Sequence, residues 1–236
     1  MKKDKTMKID SKKKDMVRLY INITNSCNAN CEFCFMYSDS SKKTYMSFDK
    51  LKEIIDSHSK DFELQLEGGE PLMHPDLYLF MEYARSTGRL KKIIINTNGI
   101  LLDEHLERLV AFHKYYSISI SLKISINYWL YKLDSTIFEK GRDIYLATEY
   151  IDRFEVLFNV RLRHEDEKIV ELLKENQIYD YSNVFYLQRY GRFENEMDYE
   201  LPVIVQNIGD WFIYSCDGVC FDKDLIKRSK HEKELN

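Results

Sequence analysis

Val17-Arg18-Leu19-Tyr20-Ile21-Asn22-Ile23, followed three residues later by Cys27-Asn28-Ala29-Asn30-Cys31-Glu32-Phe33-Cys34, is the stretch on which the reading of this chain turns. Apolar residues recur at every second position from Val17 to Ile23, the period of a strand with one face in a core. That strand runs directly into three thiols within eight residues.

Outward from this point, strand and helix signals alternate. Ser47 caps a helix whose apolar face is Phe48, Leu51, Ile54 and Ile55. Phe62 to Leu66 alternates like a strand and ends at Gly68-Gly69. Pro75 opens a second helix with Leu77, Phe80, Met81 and Ala84 on one face. Lys92 to Asn96 contains Ile93-Ile94-Ile95, as a buried parallel strand does. Leu102, Leu106, Leu109 and Val110 mark a third helix, and Tyr116 to Leu122 a fourth strand. A weaker helix spans 131–151, interrupted by Gly141. Phe154 to Leu162 is a fifth strand, Ile169, Val170, Leu172 and Leu173 lie on a fifth helix, and Val184 to Gln188 is a sixth strand.

Alternation of this kind implies parallel strands with helices outside. Six such units fit 236 residues, whereas a full eightfold barrel takes about 250. The expectation is an α/β fold, a partial (β/α)6 barrel with a short C-terminal extension; an open doubly wound sheet gives much the same pattern. Function gathers at the C-terminal ends of the strands in both. The boundaries read as a basic, flexible segment at 1–15, the barrel at 16–195, and an extension at 196–236 that caps it.

The composition, 44% hydrophobic and 31% charged, is that of an ordinary globular protein. No apolar run is long enough to span a bilayer. The formal charge of −4 gives no support to nucleic-acid binding. The basic first segment lacks the apolar stretch of a signal peptide, so a cytoplasmic protein is expected. A reducing cytosol disfavours disulfides. An odd count of five cysteines, three of them packed together, argues for metal or redox chemistry.

Three thiolates within eight residues can converge on three corners of one iron–sulfur cubane; three small buried hydrophobes or a zinc site are the other readings. A structural zinc site closes with four ligands, and no fourth stands nearby in sequence. A cubane held by three cysteines leaves one iron open to a ligand. The second motif, Gly68-Gly69-Glu70-Pro71, ends the second strand, where glycines let a ligand approach the backbone closely. Asn96-Thr97-Asn98-Gly99 ends the third strand and is first of all a turn. Ser117, Ser119 and Ser121 alternate along one strand face, which would look into a polar lumen. Arg161 and Arg163 share a face at the end of the fifth strand, either suited to grip a carboxylate, or both a solvated strand end. Cys216 and Cys220 complete the cysteines; a second cluster near them, a bridge between chains and plain core residues all remain open. Trp211, Phe212 and Tyr214 read as core or as a closure of the barrel mouth.

C-x3-C-x2-C with Phe33 before the last cysteine, directly after a first strand, resembles the signature of the radical S-adenosylmethionine (radical SAM) superfamily. The continuation Phe35-Met36-Tyr37 and Met46-Ser47-Phe48-Asp49 is similar to the branch that often carries SPASM or twitch cluster domains, although this chain has fewer auxiliary cysteines. The resemblance implies a [4Fe–4S] cluster on Cys27, Cys31 and Cys34, with S-adenosylmethionine on the open iron. It implies cofactor contacts from Phe33, Gly68, Gly69, Glu70, Pro71, Asn96, Thr97 and Asn98, from Ser119 and Ser121, and from Arg161 and Arg163. An acidic residue common shortly after that serine is Lys123 here. Arg189, Tyr190, Gly191 and Arg192 resemble a Gly-Arg segment of the same branch, near the site mouth. The activity implied is reductive cleavage of the cofactor to a 5′-deoxyadenosyl radical that abstracts hydrogen from a substrate, a peptide or protein side chain. A flavodoxin or ferredoxin would be the electron donor. A small-molecule substrate, a glycyl-radical activase and a non-catalytic iron–sulfur electron carrier or redox sensor are the alternatives. No general acid or base is assigned.

Overall fold

The computed structural model describes residues 16–187, 191–193 and 210–235. Its strands are β1 (Met16–Thr24), β2 (Asp61–Gly68), β3 (Leu90–Thr97), β4 (Ser119–Asn127), β5 (Phe154–Leu162), β6 (Ser182–Tyr186) and β7 (Asp210–Tyr214). Its helices are α1 (Phe48–Asp56), α2 (Leu77–Ser86), α3 (Leu102–Tyr116), α4 (Tyr128–Leu133), α5 (Ile137–Thr148), α6 (Glu167–Glu175) and α7 (Leu225–Glu234). The strands form one sheet in the order β6-β5-β4-β3-β2-β1-β7. Every pairing is parallel, which makes the sheet an α/β partial barrel.

The two faces of the sheet differ in chemistry. Outward positions are apolar and buried beneath the helices: Leu19, Ile21 and Ile23 on β1, Leu64 and Leu66 on β2, Ile93 and Ile95 on β3, and Ile120, Leu122, Ile124 and Ile126 on β4. The core therefore lies between sheet and helices, and its burial is the main driving force for the fold. Inward positions alternate with these and are largely polar, among them Arg18, Tyr20, Gln65, Glu67, Lys123 and Asn159. A lumen so lined is built to hold something other than hydrocarbon.

The structure departs from the sequence reading in five places. A seventh strand, β7, pairs with β1 where six strands were expected. Its Phe212 ring lies 4.6 Å from the His58 ring, and the Tyr214 hydroxyl is 2.7 Å from His58 Nε2, so these aromatics anchor an edge strand. The fourth strand begins at Ser119 rather than Tyr116, because Ser117 ends α3 in the left-handed conformation at φ 53°. The helix expected over 131–151 is two helices, α4 and α5, divided at Asp134, whose side chain accepts from Thr136 N at 2.9 Å. Gly141 does not break α5; it lets the helix lie against Phe158, which a Cβ there would crowd. The sixth strand lies two residues earlier than read; Gln188 falls outside the described residues, as do 1–15, Arg189 and Tyr190.

Candidate active site

The loop from Ser26 to Tyr45 carries the three clustered cysteines over the C-terminal end of β1 and is tied down along its length. Cys27 N donates to Asp39 O at 3.0 Å and Asn25 N to Thr44 O at 3.2 Å. Arg192 is its main clamp. Its backbone N donates to Cys34 O (3.1 Å), Nη1 to Cys31 O (3.2 Å), and Nη2 to Tyr37 O (2.9 Å) and Asp39 Oδ2 (2.7 Å). Gly191 lies so close that a Cβ would overlap Phe35 Cα and the Cys34 carbonyl. From the other side, Trp129 Nε1 of α4 donates to Ala29 O at 2.8 Å, and the Tyr128 hydroxyl donates to Glu32. Tyr128 also packs against Phe33, with ring centres 5.4 Å apart.

Cys27, Cys31 and Cys34 line one cavity of about 760 Å³, within the usual range of small-ligand sites. Their sulfurs sit among N–H donors. Ala29 N lies 3.5 Å from Cys27 Sγ, Ser38 N 3.4 Å from Cys34 Sγ, and Asn98 Nδ2 3.8 Å from Cys27 Sγ. Such donors stabilise cluster thiolates. Burial pushes the Cys27 thiol up to about 11. Burial, then the charges of Cys34 and Cys27, push Cys31 up as well. The Cys27 and Cys31 thiols thus hold their protons until a cation takes their place. Among the described residues, no three His, Cys, Asp or Glu side chains stand close enough to hold a single metal ion. A cubane spreads its thiolates more widely than one ion does. The donor set, three cysteines of one loop facing one cavity, fits a three-cysteine cluster.

The other anticipated residues separate into two groups. Phe33, Gly68, Gly69, Asn96, Thr97, Asn98 and Arg161 line the cavity. Asn96 Oδ1 is buried without a hydrogen-bond partner, and Arg161 stacks over Phe185 at 4.5 Å. Glu70, Pro71, Ser119, Ser121 and Arg163 lie outside the cavity wall. Glu70 is a buckle between strands: its carboxylate accepts from Leu72 N (3.1 Å), Thr97 Oγ1 (2.8 Å) and Asn98 N (2.7 Å). Burial raises its pKa to about 7. Pro71 starts a short 3-10 turn behind it. Ser119 donates to Arg153 O (3.1 Å) and Ser121 to Glu155 (2.9 Å), deep at the start of β4. Arg163 pairs with Asp166 (2.8 Å) and lies 3.4 Å over the Tyr128 ring. The glycines serve packing as well as access: a Cβ at Gly68 would meet Thr24 O, and one at Gly69 the Ser26 carbonyl.

Sequence reasoning missed the residues that α7 adds. Arg228 lines the cavity and pairs with Glu67 at 2.6 Å, and Ser229 donates to Phe35 O at 2.7 Å. Glu232 accepts from Asn22 Nδ2 at 2.5 Å and from the Cys216 thiol at 3.5 Å. Cys216 is buried and so engaged, whereas Cys220 is exposed, which favours a structural part for Cys216.

Fold and site together describe a parallel partial barrel with three cysteines facing a cavity at its mouth. Residues 21–124 match the family model described as "Radical SAM superfamily". That match covers a little under half of the chain, and over it the chain is similar to a superfamily of enzymes that use a [4Fe–4S] cluster and S-adenosylmethionine. A GTP 3′,8-cyclase of Synechocystis sp. is 36% identical over 108 residues, 43% of this chain and 32% of that protein. A 7,8-dihydro-6-hydroxymethylpterin dimethyltransferase of Methanocaldococcus jannaschii is 37% identical over 87 residues, 35% of this chain and 17% of that protein. The chain thus spans a third or less of the length of these two curated relatives. Among solved structures, Streptococcus suis SuiB bound to precursor peptide SuiA superposes with a TM-score of 0.57 at 18% identity, over 78% of this chain and 43% of that one. Native anSMEcpe with AdoMet and a peptide gives 0.53 at 16% identity, over 82% and 55%. At such identities these two comparisons speak to the fold alone. No helix among the described residues is long and apolar enough to cross a membrane.

Proposed function

We propose that the chain holds a [4Fe–4S] cluster on Cys27, Cys31 and Cys34, takes S-adenosylmethionine on the remaining iron, and abstracts a hydrogen atom from a peptide or protein side chain. The observation that carries this is the pinning of the three-thiol loop over a polar cavity walled by the ends of β2 and β3. When bound, cluster and cofactor together supply methionine and a 5′-deoxyadenosyl radical as hydrogen acceptor.

The protein's part is to bind, orient and exclude water. Arg192 and Trp129 fix the loop carbonyls, which sets where the three sulfurs point. Asn98 donates toward Cys27 Sγ. Asn96 Oδ1, unsatisfied and facing the cavity, is an acceptor for a ligand ammonium or hydroxyl. Arg161, held flat by Phe185, offers a guanidinium to a ligand carboxylate. Leu130, Leu187 and Trp211 close the wall against solvent hydrogen donors. The electron comes from a low-potential donor of the flavodoxin or ferredoxin kind, and a reducing cytoplasm keeps the five unpaired cysteines reduced.

The continuation of the cysteine motif toward the SPASM-type branch supports a peptide substrate. A small-molecule substrate is the second reading, favoured by the curated relatives, which are named for GTP and a pterin. A mere electron carrier has no use for the cavity. The test is 5′-deoxyadenosine formation by anaerobically reconstituted, dithionite-reduced protein. The wild type should produce it and the Cys27/Cys31/Cys34→Ala variant should not. Iron without deoxyadenosine, with acidic peptides and nucleotides supplied, would leave only the electron-carrier reading.

A further inference from the structure

The lumen ends in a layer of charge that the chemistry above does not use. Arg18 of β1 pairs with Glu63 of β2, with Nε 2.8 Å from Oε2. Lys92 of β3 pairs with Glu155 of β5 at 2.8 Å. Lys123 of β4 lines the cavity, and the charged groups acting on it are these same four: Arg18, Lys92, Glu155 and Glu63. Three cations face two carboxylates, so the layer carries one positive charge without a counterpart. Among the described residues, nothing hydrogen-bonds or ion-pairs with the Lys123 ammonium. Burial first, then Arg18 and Lys92, bring its pKa down to about 8.

A second unsatisfied group stands beside it. Gln65 of β2 is only 2% exposed, yet its buried Oε1 has no hydrogen-bond partner and its side chain borders the same cavity. The register aligns Gln65 with Ile94 and Ile94 with Ser121, so Lys123 is one inward step above Gln65 and two strands away. That is about 12 Å between backbones, a gap that the long lysine side chain narrows. A buried amide and a desolvated cation left without partners both cost stability. Their convergence on one cavity is explained by a ligand that satisfies both.

We propose that Lys123 and Gln65 form a carboxylate subsite at the base of the lumen, and that the substrate is a peptide whose acidic side chain or C-terminal carboxylate is seated there. The single excess charge matches a monoanion; a phosphate dianion would leave negative charge in a poorly solvated lumen. The choice of a peptide rests on the cluster-and-cofactor reading, but the subsite itself does not.

The test titrates the anaerobically reconstituted full chain calorimetrically with the monoanion N-acetylglutamate α-amide, its neutral isostere N-acetylglutaminamide, and inorganic phosphate. S-adenosylmethionine binding is measured on the same samples. N-acetylglutamate α-amide should bind once per chain, about tenfold or more tighter than the neutral amide or phosphate. Lys123→Met should abolish that preference and Lys123→Arg preserve it. In the wild type, where no substitution can disturb folding, N-acetylglutamate α-amide should slow acetylation of Lys123 as read by mass spectrometry. Equal binding of acid and amide, a preference for phosphate, or discrimination that survives Lys123→Met would each overturn the subsite. Loss of S-adenosylmethionine binding with the carboxylate preference intact would overturn the cofactor reading and leave the subsite standing.

Discussion

Replacing Arg228 with methionine removes the contact that pins α7 over the barrel mouth. Arg228 is 2% exposed, and its Nη1 lies 2.6 Å from Glu67 Oε1. Losing one member of a buried ion pair costs about 3–5 kcal/mol, because the other charge is left behind. Glu67 keeps a bond from Asn96 Nδ2 at 3.1 Å, which returns about 1 kcal/mol. The guanidinium also sits 5.1 Å from the Tyr20 ring centre and 5.9 Å from that of Phe35, contacts worth together about 1 kcal/mol. The net loss is about 4 kcal/mol. It should appear as local release of α7 rather than global unfolding, since the helix touches the barrel through only a few polar anchors. Hydrogen exchange read by mass spectrometry should show α7 amides exchanging roughly 1,000-fold faster, with β2 and β3 unchanged. Glu67→Gln combined with Arg228→Met should recover most of the protection, because no charge is then stranded. Unchanged α7 protection in the single variant, or a double variant as loose as the single, would refute the reasoning.

Arg192→Met should lower iron content after reconstitution and speed loss of iron to a chelator about tenfold, at a cost of about 2 kcal/mol for charge-assisted bonds. Arg192→Lys should recover only part, because an ammonium cannot span Cys31 O, Tyr37 O and Asp39 together; full recovery would show that charge alone matters. Gly69→Ala drives a Cβ into the Ser26 carbonyl and should cost about 3 kcal/mol or more; an unmoved urea midpoint would mean that the loop yields. Glu70 titrates in the folded chain at about 7 against an ordinary 4.5, so the folded state binds more protons between those values. Its stabilising effect is complete below 4.5 and is lost as pH rises through 7, about 3 kcal/mol in all. Urea midpoints from pH 4.5 to 8 should fall more steeply for wild type than for Glu70→Gln, and parallel curves would contradict the assignment.

Much of the barrel was legible because β1, β2, β3 and β5 present apolar residues at period two or in short runs bounded by turn residues, and each helix carries a clear apolar stripe. β7 was not. It is five residues long and joins the sheet beside β1, nearly two hundred residues earlier in the chain, and no local pattern announces such a pairing. The three cysteines stood out as a unit by their spacing, and the structure sets all three on one cavity. The lumen residues carried a signal that was misjudged. Arg18, Tyr20, Gln65, Glu67 and Lys123 alternate with the apolar face, which in an isolated strand looks like a solvent face; only curvature of the sheet turns it inward. Ser119 and Ser121 were placed on the correct face but at the wrong depth, because register along a barrel is set by partners far away in sequence. Glu70 shows a further limit: a carboxylate after two glycines looks like a ligand, and only its three internal donors reveal a buckle. Arg228 lay in a segment whose polar composition hid a buried cation.

The most direct test of the account is electron paramagnetic resonance of the reduced, reconstituted protein with and without S-adenosylmethionine. One [4Fe–4S] signal, absent from the Cys27/Cys31/Cys34→Ala variant and shifted by the cofactor, is the predicted result, because an iron without a cysteine ligand is where the cofactor binds. A signal that the cofactor leaves unmoved, or that persists in the triple variant alone, would contradict it.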